Sequence, residues 1–266
     1  MNAASSPTAA LDSILDDWRS RHRHWSLLEV FLPASQRQQA VCLFAWYEAI
    51  DSATFEIRDD AVALAKLRWW REDLALAVSG QARHPLLQSG LPAVALSAEP
   101  WIAVVEAASS LRIGAVRPAN LRESWQTIQP LAAAQVGIES ALWGGSADND
   151  WRCADLLLAR LRRHSAEHAE RSLLPLDLCA RHALSVESVD PGSDDPLQRR
   201  WQQDWVAALG HELRDTPGAR ARASTLWSVA TRLHLRALAD PQRRQDITPL
   251  GWVWHAWRAL RRTSGV

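Results

Sequence analysis

The chain predicts an all-α fold, a single-domain helical bundle. Three observations carry that expectation. Apolar residues recur at helical spacing along nearly the whole chain, the mark of helices with one buried face. Glycine and proline mostly punctuate the gaps between these stretches, and no strand-like alternation bounded by turn residues occurs. The chain has 266 residues, 47% hydrophobic and 23% charged, enough to bury a sizeable core.

The elements follow in order. Leu11 to Val30 carries Leu11, Ile14, Leu15 and Trp18 on one face, and Pro33 closes the segment. Ser35 to Ala53 opens on a capping residue and stripes Val41, Phe44, Ala45 and Ala49. Asp59 and Asp60 precede a strong helix from Ala61 to Ser79 that stops at Gly80. His84-Pro85 marks a turn. Leu86 to Pro118 is a weaker stretch broken by Pro92 and Pro100. Ala119 to Trp143 reads as helix despite Pro130 and ends at Gly144-Gly145. Trp151 to Ala169 follows, then a break at Leu174-Pro175-Leu176 and a short helix to Ala183. Ser185 to Pro196 is the best loop in the chain. Helices from Leu197 to Leu213, Ala219 to Ala239 and Pro249 to Arg262 complete the set.

Composition excludes several classes. Lys+Arg and Asp+Glu both total 30, so a dedicated nucleic-acid binder with its basic excess is not expected. Lys66 is the single lysine, a bias read as genome composition. Cys42, Cys153 and Cys179 are scattered with no CxxC pair, which gives neither a disulfide framework nor a zinc ribbon. A cytoplasmic location is expected. No run of about 18 apolar residues occurs, so no transmembrane helix is expected. Met1 to Ala10 is polar, lacks a signal-peptide core and is predicted disordered, leaving 11–266 as the helical domain. Tryptophan is the oddity, with 15 residues against 3 Phe and 1 Tyr.

Five segments in order resemble one family. They are Phe31-Leu32-Pro33 with Arg37 and Leu43-Phe44-Ala45-Trp46; Lys66 to Leu74 (KLRWWREDL) with Gly80 and His84-Pro85-Leu86; Gln135-Val136-Gly137 with Leu142-Trp143-Gly144; Arg163 to His168 with Leu174-Pro175-Leu176-Asp177; and Trp254 to Arg262 (WHAWRALRR). On these the chain resembles the squalene/phytoene synthase family over roughly residues 20 to 262. The resemblance implies an isoprenoid synthase bundle with a central cavity for prenyl chains. It implies head-to-head joining of two prenyl diphosphates. It also implies Mg²⁺, held by carboxylates paired at i and i+4 on facing helices, to neutralise the departing diphosphate.

The sequence departs from that pattern at the metal positions. In the resemblance, Asp51 takes the first Asp of the DxxxD motif and the second becomes Phe55. Glu56 is adjacent but about 100° around a helix. On the second motif both Asp positions are His164 and His168, with Glu167 retained, and the preceding Gln and Asn are Leu157 and Arg160. The resulting set is Asp51, Glu56 and Glu167 for metal, with His164, His168 and Arg160 for a diphosphate. Histidine is a poor Mg²⁺ ligand. Three of four Asp are absent, which points to a non-catalytic protein that binds a prenyl lipid or serves assembly. A branch of the family that resembles this pattern assists respiratory complex I assembly, which implies a protein partner there. The alternative is an active Mg²⁺-dependent squalene or phytoene synthase binding prenyl diphosphates.

Other features have competing readings. His164-x-x-Glu167-His168 matches a zinc-protease string, with Glu187 or Glu212 available as a further ligand. One of Trp69 and Trp70 should be core, with Glu72 and Asp73 on a solvated edge. Trp252, Trp254 and Trp257 read as helix packing. The second reading is peripheral membrane contact at the inner face, helped by Arg258, Arg261 and Arg262.

Overall fold

A computed structural model describes residues 7–91, 97–114, 117–144, 149–213, 222–240 and 248–263, and every regular element among them is helical. The all-α expectation holds. The chain divides into two compact units, Met1–Arg112 and Ile113–Val266.

The first unit opens with α1 (Pro7–Arg21), which begins ahead of the predicted Leu11 and makes Pro7 to Ala10 helical. The chain then turns and resumes as a short α2 (Trp25–Leu28) and a 3₁₀ turn (Glu29–Phe31), where the periodicity predicts one helix. In an unbroken helix Trp18 and Trp25 would sit about 10 Å apart along the axis. The break lets their rings meet edge to face at 6.2 Å, with Phe44 against Trp25 at 5.2 Å. α3 (Ala34–Phe55) is buried at every residue from Ala40 to Tyr47. A helix buried on all sides is the centre of its unit.

α4 (Asp60–Val78) shows both of its predicted ends. The Asp59 carboxylate accepts the Val62 N–H at 3.0 Å. At the other end Gly80 adopts φ +71°, and the N–H groups of Gly80 and Gln81 donate to Ala77 and Leu76, a Schellman cap. Ala63, Leu67, Trp70, Leu74 and Ala77 form the buried stripe. Trp70 is core and Trp69 half-buried. Trp46 of α3 receives Trp70 at 6.4 Å and Trp101 at 5.2 Å.

Asp73 corrects the expectation of a solvated edge. It is fully buried, and its carboxylate accepts the Arg83 N–H at 2.7 Å and the His84 N–H at 2.9 Å. It lies one turn after Trp70, on the inward face, and the returning backbone supplies the donors that a buried charge requires. That return leads into a π turn (Leu86–Gly90). A Cβ at Gly90 would fall 2.7 Å from Cys42 Sγ, so only glycine fits there. Burial pushes the Cys42 thiol up to about 12.

α5 (Glu99–Ile113) buries Trp101, Val104, Val105, Ala108 and Leu111. Pro100 lies in its first turn, where a missing N–H is harmless, and so does not break it. Pro92 lies outside the described residues.

His84 makes this return loop sensitive to acid. Its Nδ1 accepts the Leu86 N–H at 3.2 Å, and its ring lies 4.7 Å from Trp70. Burial lowers its pKa below the ordinary 6.5, opposed by Asp73 and aided by Lys66. The unfolded chain therefore takes up the proton more readily than the folded one. Stability rises with pH, and this contribution is complete above about 6.5. As pH falls below that value stability is lost, until the folded-state pKa is passed. Melting temperatures from about pH 7.5 to about pH 5 should fall, and His84→Asn should flatten the slope. An unchanged slope in that variant would assign the effect to other groups.

The second unit begins with α6 (Leu121–Trp143), capped by Asn120, whose side chain accepts the Glu123 N–H, while Glu123 accepts the Ala119 N–H at 2.7 Å. It ends at Gly144 with φ +72°, and Pro130 sits exposed within it. α7 (Asn149–Arg162) packs on α6 and on α10 (Arg222–Ala239). Between them come α8 (Leu176–Arg181) and α9 (Pro196–Glu212), with Trp201 and Trp205 of α9 buried. The last element, α11 (Pro249–Thr263), packs on α10. No described helix is long and apolar enough to cross a membrane.

Candidate functional site

In the first unit, Asp51 sits on the last full turns of α3 and is 5% exposed. One turn on, Phe55 occupies the place where a second carboxylate would complete a metal-binding pair, and it too is buried. Glu56 caps the helix through its N–H, which donates to Ser52 at 2.9 Å. Its side chain is half-buried and leaves the helix in a different direction from Asp51.

The end of α3 is fixed from a distance. The Arg112 side chain is fully buried. Its guanidinium donates to the Thr54 carbonyl at 2.8 Å, the Ile57 carbonyl at 2.6 Å and the Asp60 carboxylate at 2.7 Å. It holds the α3–α4 junction just beyond Asp51. No local pattern around Arg112 marked it as special.

In the second unit, the predicted helix from Trp151 to Ala169 stops at Arg162. Ser165 takes an extended backbone, φ −146° and ψ 155°, and a 3₁₀ helix covers Ala166–Arg171. His164 therefore lies in the link, with Glu167 and His168 on the following turn. The i and i+4 histidines do not share an α-helical face, which is the geometry the zinc reading needs. His164 Nε2 lies 2.8 Å from the Val186 carbonyl and so carries its proton toward that oxygen. Glu167 is exposed, and the His168 side chain lies outside the described residues. Arg160 is buried on α7 at 9% exposure. Glu187 pairs with Arg117 at 2.9 Å. Among the described residues no group of three or more His, Cys, Asp or Glu is placed to hold a metal ion. The residues at the family's metal positions do not fit a Mg²⁺ cluster, since neither segment offers a helical pair of carboxylates.

A polar network that the sequence did not suggest joins α6, α7 and α10. Buried Arg152 donates to Glu139 and, at 2.9 Å, to Asp155. Asp155 also accepts from Trp227 Nε1 at 2.7 Å and Thr231 Oγ1 at 2.9 Å. Ser224 Oγ donates to the second Glu139 oxygen at 2.5 Å. Each oxygen of the two carboxylates thus accepts at least one hydrogen bond, and both terminal nitrogens of the guanidinium donate.

Beside this network lies a cavity of about 460 Å³, lined by Arg162, Pro191, Gly192, His234, Leu238 and Trp252 among others. Gln198 and Gln202 of α9 pin the 188–192 wall, Gln198 Nε2 donating to Ser188 at 2.7 Å and Gln202 Nε2 to Pro191 at 3.2 Å. The His234 and Trp252 rings meet at 5.5 Å. Arg162, an exposed residue, is one of those lining residues. Burial by surrounding protein lowers its pKa from the ordinary value, opposed by Asp155 and aided by Arg163. Among the described residues its guanidinium has no hydrogen-bond partner. A cation beside Trp252 and Leu238 suits an anionic head with an apolar body.

No family model and no curated protein matches the chain. Among solved structures, it is similar to the squalene synthase HpnC from Alicyclobacillus acidocaldarius, at TM-score 0.53 and 14% identity, over 98% of this chain and 97% of that one. The chain carries a fold like that of squalene synthase.

Proposed function

We propose that the protein belongs to the squalene/phytoene synthase family and acts as a non-catalytic prenyl-lipid-binding or assembly protein. The observation that carries this reading is the second metal segment. α7 ends at Arg162, so His164 and Glu167 lie beyond it, and His164 is turned onto a backbone carbonyl. Diphosphate departure needs clustered carboxylates and Mg²⁺, and Asp51 beside Phe55 supplies one acid where two are required. The Arg162 cavity supports the binding half of the reading, since it offers a cation next to apolar walls.

The test is an incubation with farnesyl and geranylgeranyl diphosphate, Mg²⁺ and NADPH, followed by lipid analysis and a parallel binding titration. No squalene, phytoene or presqualene-type product is expected, while a prenyl diphosphate still binds. Arg162→Ala should weaken that binding about 10-fold, the scale of one charged hydrogen bond, with an unchanged melting temperature. Product at synthase-like rates would overturn the non-catalytic reading. Unaltered binding in the variant would move the ligand elsewhere.

A further inference from the structure

α11 has two faces of opposite purpose. Trp252 and Ala256 are buried against the second unit. Leu250, Trp254, Trp257, Arg258 and Arg261 stand at i, i+4, i+7, i+8 and i+11, within about 100° of one another around the helix. Leu250 is 80% exposed, Trp254 55% and Trp257 40%. The sequence favours packing for all three C-terminal tryptophans, with membrane contact as the second reading, and only Trp252 packs inward. Trp254 and Trp257 stack at 5.1 Å, and the Arg261 guanidinium lies over Trp257 at 4.9 Å. A soluble surface gains nothing from two exposed, stacked indoles.

Within α10 and α11 the charge has one sign. Neither α10 nor α11 contains an aspartate or glutamate, whereas α10 carries Arg222, Arg232 and Arg236 and α11 carries Arg258, Arg261 and Arg262. The chain as a whole has a formal net charge of +0, so this is a local concentration. His255 registers the field: after burial, Arg236, Arg258 and Arg232 are what lower its pKa. Indoles prefer the headgroup region of a bilayer, and arginines beside them meet lipid phosphates.

We propose that the outward face of α11 docks the protein on an anionic phospholipid bilayer, with Leu250, Trp254 and Trp257 inserted and Arg258 and Arg261 at the phosphates. This does not depend on whether the protein is catalytic. All three cysteines are buried, so a polarity-sensitive dye on Leu250→Cys reports this face selectively. The full chain would be mixed with vesicles of phosphatidylcholine alone, and of phosphatidylcholine with phosphatidylglycerol as the minor lipid.

A blue shift and co-sedimentation with the anionic vesicles are expected, both reduced by salt. Each basic residue near such a surface contributes on the order of a fivefold factor, so R258E/R261E should weaken partitioning by about tenfold or more. W254S/W257S should abolish it, with melting temperature kept because both side chains are exposed. Binding to both vesicle types without salt dependence would overturn the anionic specificity. Absence of binding by the folded protein to either, or an undiminished affinity in W254S/W257S, would overturn the docking surface.

Discussion

Replacing Arg112 by alanine is expected to destabilise the first unit by about 2–4 kcal/mol, the scale for leaving two carbonyls without their charged donor at a buried junction. The Arg112 side chain is fully buried, and it satisfies the Thr54 and Ile57 carbonyls together with Asp60. Its removal leaves those acceptors to find water at the junction of α3 and α4. Arg112→Lys should recover only part of the loss. An ammonium carries the charge but cannot reproduce a planar fork that reaches several acceptors at once. Chemical denaturation of both variants measures this, and equal stability of the lysine variant and the parent would mean that charge alone matters. Because the clamp closes just past Asp51, the alanine variant should also loosen the end of α3, seen as faster amide exchange at Phe55 and Glu56.

Arg152→Met is expected to have an effect of similar size in the second unit, about 3–5 kcal/mol. Arg152 is the guanidinium that bridges Glu139 and Asp155. Without it, a buried carboxylate at Glu139 keeps only Ser224 among the contacts described above, while Asp155 retains Trp227 and Thr231. The asymmetry gives a second measurement. Adding Glu139→Gln to Arg152→Met should restore part of the lost stability, because it removes the charge left without its cation. Adding Asp155→Asn should restore less. A loss below about 1 kcal/mol in Arg152→Met would mean that solvent reaches these carboxylates and screens them.

These two arginines explain where sequence reasoning ran out. The chain has 30 basic residues, and nothing near Arg112 or Arg152 distinguishes them from arginines on exposed faces. Arg112 reaches Thr54, Ile57 and Asp60, more than fifty residues back, and Arg152 reaches Glu139 on α6, with Asp155 on its own helix. Asp73 was misread for the same reason: its donors come from Arg83 and His84, across the α4 cap. The α7 terminus was missed differently. His164 to Ala169 has ordinary helical propensity, and the extended backbone at Ser165 accompanies a long-range contact between His164 and Val186. α5 is stronger than its prolines suggest, because Pro100 stands in the first turn, where it does not break a helix.

What the sequence determined by itself is the set of helices and most of their ends. Periodicity selects the buried faces, and caps such as Asp59, Gly80, Asn120 and Gly144 act within a few residues of the chain. It also carried a resemblance whose implied fold the structure shares, because helix order and spacing are linear properties. The tertiary structure alone decided which charges are buried, where α7 yields to a 3₁₀ turn, and which of three nearby tryptophans face solvent. Those outcomes depend on contacts between residues far apart in the chain, where the gain of a matched partner outweighs local preference.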